Sequence, residues 1–527
     1  MLRSAFIATA CRAAAVCWLF TAGMLNRPQA EDLPILTEVA IYPSSAAGRA
    51  MAVPRSFLGL SQEWPWVSSM TLSPHATAII HRLQNDNGPM ILRVGGTSYD
   101  AGYERVMRGN TAADRMQRDG VAKSLTALET LRDTLGMRFI LTLSLACRDP
   151  TLVKQQADAW QARLGDAVVA FEIGNEPNYY KDIRRDLWPD DGSGRFYRDI
   201  VDVFAACSRE LEGRAVAGPA WGWIGLRPPL MEQYLAASPR PLAAVTVHYY
   251  HSAYHQKPPP GRPNDTPETL LDDRHTREVM NTWVGPQLKL ASRQGVPLRI
   301  TECNSISGGG NAGVSDVYAA ALWSLDTALE MAAAGVAGID FHQASWKYAI
   351  YERVTHGSET VSGFDPPPLY HSYRVRPPFY GLLFFQKAVT AGSRIARLEH
   401  SGPAALKAYA ITVGDESRTV LVNKSAWESV GVTVHRPRVT AEQSAVLPLG
   451  RATLIRLEAP AGSITARRGI TIAGVGYDDW GGRPDGEPVG QALLAQPGDS
   501  AGEQTYRVEL GPASAAILRE LPPDPKR

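Results

Sequence analysis

An excess of charge of either sign is missing from this sequence: 54 Lys and Arg stand against 53 Asp and Glu, a formal net charge of +1 over 527 residues. A chain so balanced sets up no long-range field to gather nucleic acid or an anionic membrane, and any charge selectivity must be local. Cysteine is also scarce. Of the five present, Cys11 and Cys17 fall in an apolar leader, and Cys147, Cys207 and Cys303 remain, an odd number without metal-ligand spacing. That spacing argues against structural zinc, at most one disulfide can form, and three buried free thiols are expected. Phosphate-cradling loops are lacking as well, since neither GxGxxG nor GxxxxGK[ST] follows the early β-rich runs. Long hydrophobic runs are confined to the N-terminus, where Arg3 and Arg12 precede an apolar stretch from Ala13 to Met24 and Pro28-Gln29-Ala30 offers a cleavage site before Glu31-Asp32. These features read as a secretory signal covering residues 1–30, because the run is shorter than the ~20 residues a membrane span needs. A secreted or periplasmic protein is expected, with neither nucleic acid nor membrane as partner and no cofactor or metal.

The chain is too long for one core, so a large domain and a smaller one are expected. Eight β-rich apolar runs alternate with helical stretches: Ser56 to Ser61, Met90 to Gly96, Phe139 to Ala146, Val168 to Glu176, Ala215 to Ala220, Ala244 to Tyr250, Leu298 to Cys303 and Val336 to His342. Such alternation implies a parallel sheet with helices outside it, and eight units over residues 55–388 predict a (β/α)8 TIM barrel. One helix is expected from Ser315 to Ala334, capped by Ser315-Asp316, with Val317, Ala321, Leu325 and Leu329 at helical spacing and Gly335 ending it. Beyond residue 388 the texture changes to alternating strands, including Tyr409-Ile411-Val413 and Val430-Val432-Val434, which predict an antiparallel β-sandwich over 389–527. Residues 31–54, with Leu36 to Ile41, are expected to add a strand to it. Pro258-Pro259-Pro260 and Pro366-Pro367-Pro368 follow barrel strands six and eight, where they would stiffen functional loops or serve as plain surface connections.

Two glutamates carry the chemistry. The run Phe171-Glu172-Ile173-Gly174-Asn175-Glu176-Pro177-Asn178 brings Glu176 out at the carboxyl end of strand four, and Ile300-Thr301-Glu302-Cys303 does the same for Glu302 on strand seven. Barrel enzymes place their reacting groups at that end. Glycosidic hydrolysis needs one carboxyl to protonate the leaving oxygen and a second to attack or stabilise the anomeric carbon. A lone strand-end Glu is usually an ion-pair partner, but an Asn-Glu-Pro turn opposite a strand-seven Glu is a far more specific combination. Glu172, earlier in strand four, fits a buried partner inside the barrel.

These motifs resemble the barrel glycosidases with an acid/base on strand four and a nucleophile on strand seven, and within them the heparanase and β-glucuronidase family. The resemblance rests on Ser56 to Glu63, Leu92 to Thr97, Phe171 to Asn178, Val247-His248-Tyr249-Tyr250, Glu302 to Gly310 with Val314-Ser315-Asp316, and Trp346-Lys347-Tyr348. It implies a barrel plus β-sandwich, a retaining mechanism and a pocket for a β-linked hexuronic acid, with Glu176 as acid/base and Glu302 as nucleophile. It further implies sugar contacts from Glu63, Arg93, Asn175, Tyr249, Ser307, Gly308, Lys347 and Tyr348. Of these, Arg93 also keeps the nucleophile ionised, and Tyr250 replaces Tyr249 if the strand register shifts by one. Ser307 stands where many members carry Tyr, and Trp346-Lys347 where they carry Gly, which suggests a charge-assisted carboxylate site. An exo-acting β-glucuronidase is the leading expectation. Heparanase-like endo-cleavage, another strand-four/strand-seven glycosidase such as an arabinofuranosidase or xylosidase, and an inactive carbohydrate-binding protein are the alternatives.

Overall fold

The computed structural model describes residues 35–71, 73–85, 87–223, 225–252, 265–343, 347–355, 371–436, 449–478, 481–500 and 503–521. The leader, the two triple-proline stretches and Trp346 lie outside them. Eight parallel strands close into a barrel in chain order: Leu58–Glu63, Ile91–Gly95, Arg138–Leu143, Val168–Ile173, Val216–Trp221, Ala244–Ser252, Leu298–Ile306 and Gly338–His342, the last pairing with the first. They are numbered one to eight below. Strands buried on both faces read as continuous apolar runs, which is why the sequence marks them.

The barrel interior is more polar than those runs suggest. Near its amino end Arg299 pairs with Asp340 through Nε at 2.9 Å. Gly59 and Gly338 admit this pair, because a Cβ on either would collide with Asp340 or Arg299. A second ionic layer, around Arg93 and Glu172, lies closer to the carboxyl end and underlies the site described below. Strand seven carries a β-bulge: Ile300 pairs with Val247 and Glu302 with His248, so Thr301 is an extra residue relative to strand six. The same insertion recurs against strand eight, where Ile300 pairs with Ile339 and Cys303 with Phe341. Bulges of this kind re-aim side chains beside functional sites.

The helix expected from Ser315 begins instead at Tyr318 and runs to Ala334, ending on left-handed Gly335. Ser315 is used elsewhere, accepting from the Asn311 N–H at 3.1 Å and bonding Ser305 at 2.9 Å. The first helical N–H groups, of Tyr318 and Ala319, are satisfied by the carbonyls of Ala466 and Ile464. A helix start capped by the second domain has no need of a side-chain cap. The helix is buried nearly all round, from Tyr318 to Ala332.

The helix Pro377–Ala388, the barrel strands and the β domain share that burial. Strands Arg394–Arg397, Leu406–Val413, Glu416–Asn423, Arg451–Glu458 and Ser514–Glu520 belong to an eight-stranded sheet. A four-stranded sheet packs on one of its faces, joining Val430, Val432 and Val434 to Ala408, Leu421, Leu454 and Leu518 in one core. The opposite face, with Tyr409, Ile411, Val420 and Ile517, merges with the barrel core. The N-terminal segment enters both sheets: Ile35–Ile41 pairs in parallel with Ser429–His435, and Met51–Ala52 pairs with Arg394–Arg397. Across the domain contact Lys424 reaches Asp326 at 2.6 Å and Lys407 reaches Glu330 at 2.6 Å, all four buried. Cys147, Cys207 and Cys303 are free; Cys207 and Cys303 are buried, while Cys147 is partly exposed in the turn after strand three, contrary to the expectation of three buried thiols. Among the described residues no helix is long and apolar enough to cross a membrane.

Candidate active site

Strand four ends at Ile173, so Glu176 lies not on the strand but in the turn beyond it. Its backbone is left-handed (φ 51°, ψ 53°) and its N–H donates to the Ala220 carbonyl at 2.8 Å. A non-glycine residue held there costs free energy, and such positions gather at functional sites. Asp100 anchors the turn by accepting from the N–H of Asn175 at 2.8 Å and from the Tyr180 hydroxyl. Burial raises the Asp100 carboxyl to about 6, against the hydrogen bonds from Tyr180, Ala146 and Asn175 that lower it.

Glu302 sits within strand seven, which continues to Ile306. The bulge lets adjacent residues both face inward: Thr301 donates to Glu172 at 2.7 Å while Glu302 receives Arg93 Nη1 at 2.9 Å and the Tyr250 hydroxyl at 2.7 Å. Glu176 and Glu302 each place a carboxylate oxygen within 4.8 Å of the other and of His248. Their side chains stay 20% and 10% accessible, so one ligand entering the mouth can reach both. A retaining pair has its carboxyls ~5–5.5 Å apart, whereas an inverting pair leaves room for a water between them.

The electrostatics of the two carboxyls differ. Burial acts to raise Glu302, but His342, His248, Arg93 and the Tyr250 hydroxyl together hold it down at about 2. His342 is itself pushed to about 4 by burial, so near neutral pH it is uncharged and Arg93 is the permanent cation. Arg93 is fully buried and spends its donors on protein: Nε on Glu172 at 2.7 Å, Nη1 on Glu302, and Nη2 on Asn175 Oδ1 at 2.6 Å. Its donors are thus met within the protein, with Glu302 among the partners, as expected of an arginine that keeps this carboxyl ionised. Glu172 is satisfied by Arg93, Thr142 and Thr301, and although burial opposes it, Arg93 keeps this carboxyl low. Glu176 has a different neighbour, His248 Nδ1 at 2.9 Å. The cluster of Glu176, His248 and Glu302 has the composition of a cation site, but the guanidinium 2.9 Å from Glu302 already supplies a fixed positive charge that disfavours a second.

Other expected contacts are placed as follows. Glu63, at the end of strand one, accepts from the Ser98 hydroxyl and is raised to about 7, chiefly by burial. Asn175 Nδ2 donates to Thr97 at 3.2 Å. Tyr249 points away from the site and packs toward Trp323, ring centroids 6.4 Å apart. The Tyr beside Glu302 is Tyr250. Without the bulge, Tyr249 would pair with Glu302; the extra residue brings His248 opposite Glu302, and Tyr250, two residues on, faces the same way. Tyr348 is buried with its ring 6.2 Å from those of Tyr250 and His342. Gly308 is left-handed (φ 65°), Ser307 is partly exposed, and Lys347 is exposed while its N–H donates to the Gly309 carbonyl at 2.8 Å. The strand-seven and strand-eight loops are thereby joined. His248, Tyr250, His342 and Glu172 complete the site, and the two-residue alternation of inward side chains on strands six and eight is the signal that marks His248, Tyr250 and His342.

A closed (β/α)8 barrel bearing a β-sandwich, with two carboxyls facing each other at the carboxyl end of its strands, is the arrangement that retaining barrel glycoside hydrolases use. No protein-family model matches the chain. It is 24% identical over 472 residues to a β-glucuronidase of Aspergillus niger, across 81% of this chain and 82% of that one. Its fold is similar to that of a 4-O-α-L-rhamnosyl-β-D-glucuronidase from Fusarium oxysporum, with a TM-score of 0.68 at 17% identity over 94% of this chain and 99% of the other. A GH51 arabinofuranosidase from Xanthomonas axonopodis pv. citri shares the fold at a TM-score of 0.60 and 13% identity, over 92% and 99% of the two chains.

Proposed function

We propose that this chain is an exo-acting retaining β-glucuronidase that removes β-linked glucuronic acid from glycans or glycosides. The observation that carries the reading is the asymmetric carboxyl pair, Glu302 held ionised by Arg93 and Glu176 facing it within 4.8 Å. In this mechanism a carboxylate oxygen of Glu302 attacks the anomeric carbon as the bond to the leaving oxygen breaks, and Glu176 gives that oxygen its proton. Glu176, now a carboxylate, takes a proton from water, whose oxygen attacks the anomeric carbon and releases Glu302. Attack from opposite faces in the two steps returns the original configuration. Glu63 and Asn175 would meet sugar hydroxyls, and Tyr348 with Ser307, Lys347 and the backbone at Gly308 would meet the uronate carboxylate. The similarity to a β-glucuronidase over most of both chains supports the sugar assignment. The leader at residues 1–30 supports action outside the cytoplasm.

The test is a panel of nitrophenyl glycosides with product configuration read by NMR. Glu302→Gln should abolish turnover of every substrate. Glu176→Ala should keep glycosylation by activated aryl glucuronides and release β-glucuronosyl azide when azide is added. Inverted product, or no azide adduct, would overturn the role assignment. Preference for a glucoside or arabinofuranoside would overturn the sugar assignment alone.

A further inference from the structure

The turn that presents Glu176 also forms the wall of a second space. Asn178 and Tyr179 line a cavity of about 960 Å3, together with Tyr197, Arg198, Trp223, Arg227 and Trp283. The contact with the acid/base is close. The Gly222 N–H donates to Asn178 Oδ1 at 2.8 Å, and a Cβ on Gly222 would fall 2.8 Å from the Cβ of Glu176 and 2.6 Å from the ring of Tyr179. Gly222 lies between Trp221 and Trp223, which both line the cavity, so the turn that packs against Glu176 also walls this space. In a retaining hydrolase the leaving group departs on the side of the acid/base.

The lining is unusual for surface that only meets water. Trp223 is 47% exposed, Tyr179 42% and Tyr197 38%, and Trp223 stands 5.0 Å from Trp283 with the rings inclined at 56°. Gly225 permits that pose, since a Cβ there would strike the Trp223 ring. Grouped exposed aromatics beside a reacting centre are a platform for flat ligand faces. The charge on the lining is of one sign. Arg198 and Arg227 have no ion-pair partner among the described residues, and no carboxylate lines the cavity. Guanidinium groups so placed recognise carboxylate, sulfate or phosphate substituents by paired donors.

We infer that this cavity is the leaving-group site and that it takes an acidic saccharide, stacking its ring on Trp223 and Trp283 and binding its anionic substituent through Arg198 and Arg227. The inference rests on the hydrolase reading above and names the chemistry of the leaving group, which that reading leaves open. Neutral saccharides and flat phenolic leaving groups are the competing occupants.

Two matched disaccharides test it: β-glucuronosyl-(1→3)-N-acetylgalactosamine with and without a 6-sulfate. The full-length enzyme should cleave the sulfated form with kcat/KM at least about tenfold higher, as expected for a charge-assisted contact. In Arg198→Ala/Arg227→Ala that ratio should fall to near one, and Trp223→Ala should weaken both disaccharides alike. Equal rates in the wild type, or a ratio unmoved by the double substitution, would overturn the acidic-saccharide inference. A flavone glucuronide outrunning both disaccharides in a Trp223-dependent way would show that the cavity takes flat phenols instead. A second measurement is independent of which sugar reacts: N-acetylgalactosamine 6-sulfate should quench tryptophan fluorescence at concentrations where N-acetylgalactosamine does not, and Trp223→Phe should diminish the signal. Quenching without glucuronide turnover would overturn the glucuronidase reading and leave this one standing; turnover without quenching would do the reverse.

Discussion

Arg93 binds Glu302 through Nη1 at 2.9 Å, and among the described residues no guanidinium approaches Glu176 comparably; its neighbour is the imidazole of His248 at 2.9 Å. This difference places a permanent cation against one carboxyl of the pair and an imidazole against the other. Removing the cation should therefore be visible in the acid limb of the activity profile. Glu302 is held at about 2, so ionisation of the nucleophile is complete well below neutral pH. In Arg93→Ala the acid limb should move upward by about 1–3 pH units, the shift an opposite charge commonly produces. The same variant leaves Glu172 buried without its counter-ion and should lose about 3–5 kcal/mol of stability. Arg93→Lys keeps the charge and guards against a variant that does not fold: its acid limb should move less. An unmoved limb in both variants would detach Arg93 from the nucleophile.

The Tyr250 hydroxyl donates to Glu302 at 2.7 Å, while Tyr249 lies on the opposite face of strand six. A hydrogen bond to a charged partner is worth about 1.5–3 kcal/mol. Tyr250→Phe should thus lower kcat/KM by about one to two powers of ten, and Tyr249→Phe should change it by less than about threefold. Steady-state kinetics on one aryl glucuronide decide the matter, and the reverse order of effects would contradict the register described above.

Glu63 offers a pH test of the fold. Burial raises its carboxyl to about 7, above the ~4.3 of an unfolded glutamate. The folded protein therefore binds a proton that the unfolded chain releases, so this contribution to stability is complete below the unfolded value and is lost as pH rises to about 7. Tm measured against pH should fall across that window more steeply for wild type than for Glu63→Gln. Parallel curves would remove Glu63 as the titrating group.

The contact between barrel and sandwich rests partly on buried charge. Lys424 and Asp326 meet at 2.6 Å, each almost inaccessible. Deleting Asp326 leaves buried Lys424 with Asp273, at 3.5 Å, as its remaining carboxylate, so Asp326→Ala should cost up to about 3–5 kcal/mol. Replacing both, as Asp326→Leu/Lys424→Met, should recover most of that loss, because apolar packing often substitutes for a buried pair. Denaturant midpoints of the two single variants and the double variant give the coupling. Additive losses would mean that the pair acts as two independent sites.

The barrel was legible because strands buried on both faces keep their apolar character however they are paired, and Glu176 and Glu302 stood out as glutamates toward the carboxyl ends of such runs, although Glu302 lies within strand seven and Glu176 in the turn beyond strand four. Local irregularity hid the rest. The Thr301 insertion is invisible to a two-residue period, and it alone moves the nucleophile's partner from Tyr249 to Tyr250. The start of the helix at Tyr318 depends on carbonyls of Ala466 and Ile464, more than a hundred residues away in sequence, so no local cap could disclose it. The motif around Arg93 fits both an arginine that holds Glu302 ionised and one that also meets the sugar. What distinguishes them is the triple use of its donors by Glu172, Glu302 and Asn175, a three-strand arrangement that exists only once the barrel closes.

In the proposed function the substrate carboxylate meets the loops that carry Ser307, Lys347 and Tyr348. Tyr348 is buried against Tyr250, while Lys347 extends into solvent from a backbone tied to Gly309. A uronate entering above Glu302 adds a negative charge next to an existing one, so donors must meet it or its desolvation goes uncompensated. Tyr348 and the backbone at Gly308 are fixed in place before the sugar arrives. Lys347 must give up side-chain freedom to reach it, which offsets part of its Coulombic gain. Tyr348→Phe should therefore lower kcat/KM for aryl β-glucuronide by about one to two powers of ten while leaving the weaker aryl β-glucoside activity in place. Lys347→Ala should act in the same direction with a smaller effect that shrinks as salt rises, because an exposed charge is screened over about 10 Å at 0.1 M ionic strength. Equal losses on both sugars for Tyr348→Phe, or a Lys347→Ala effect independent of salt, would take the carboxylate away from this loop pair while leaving the roles of Glu176 and Glu302 untouched.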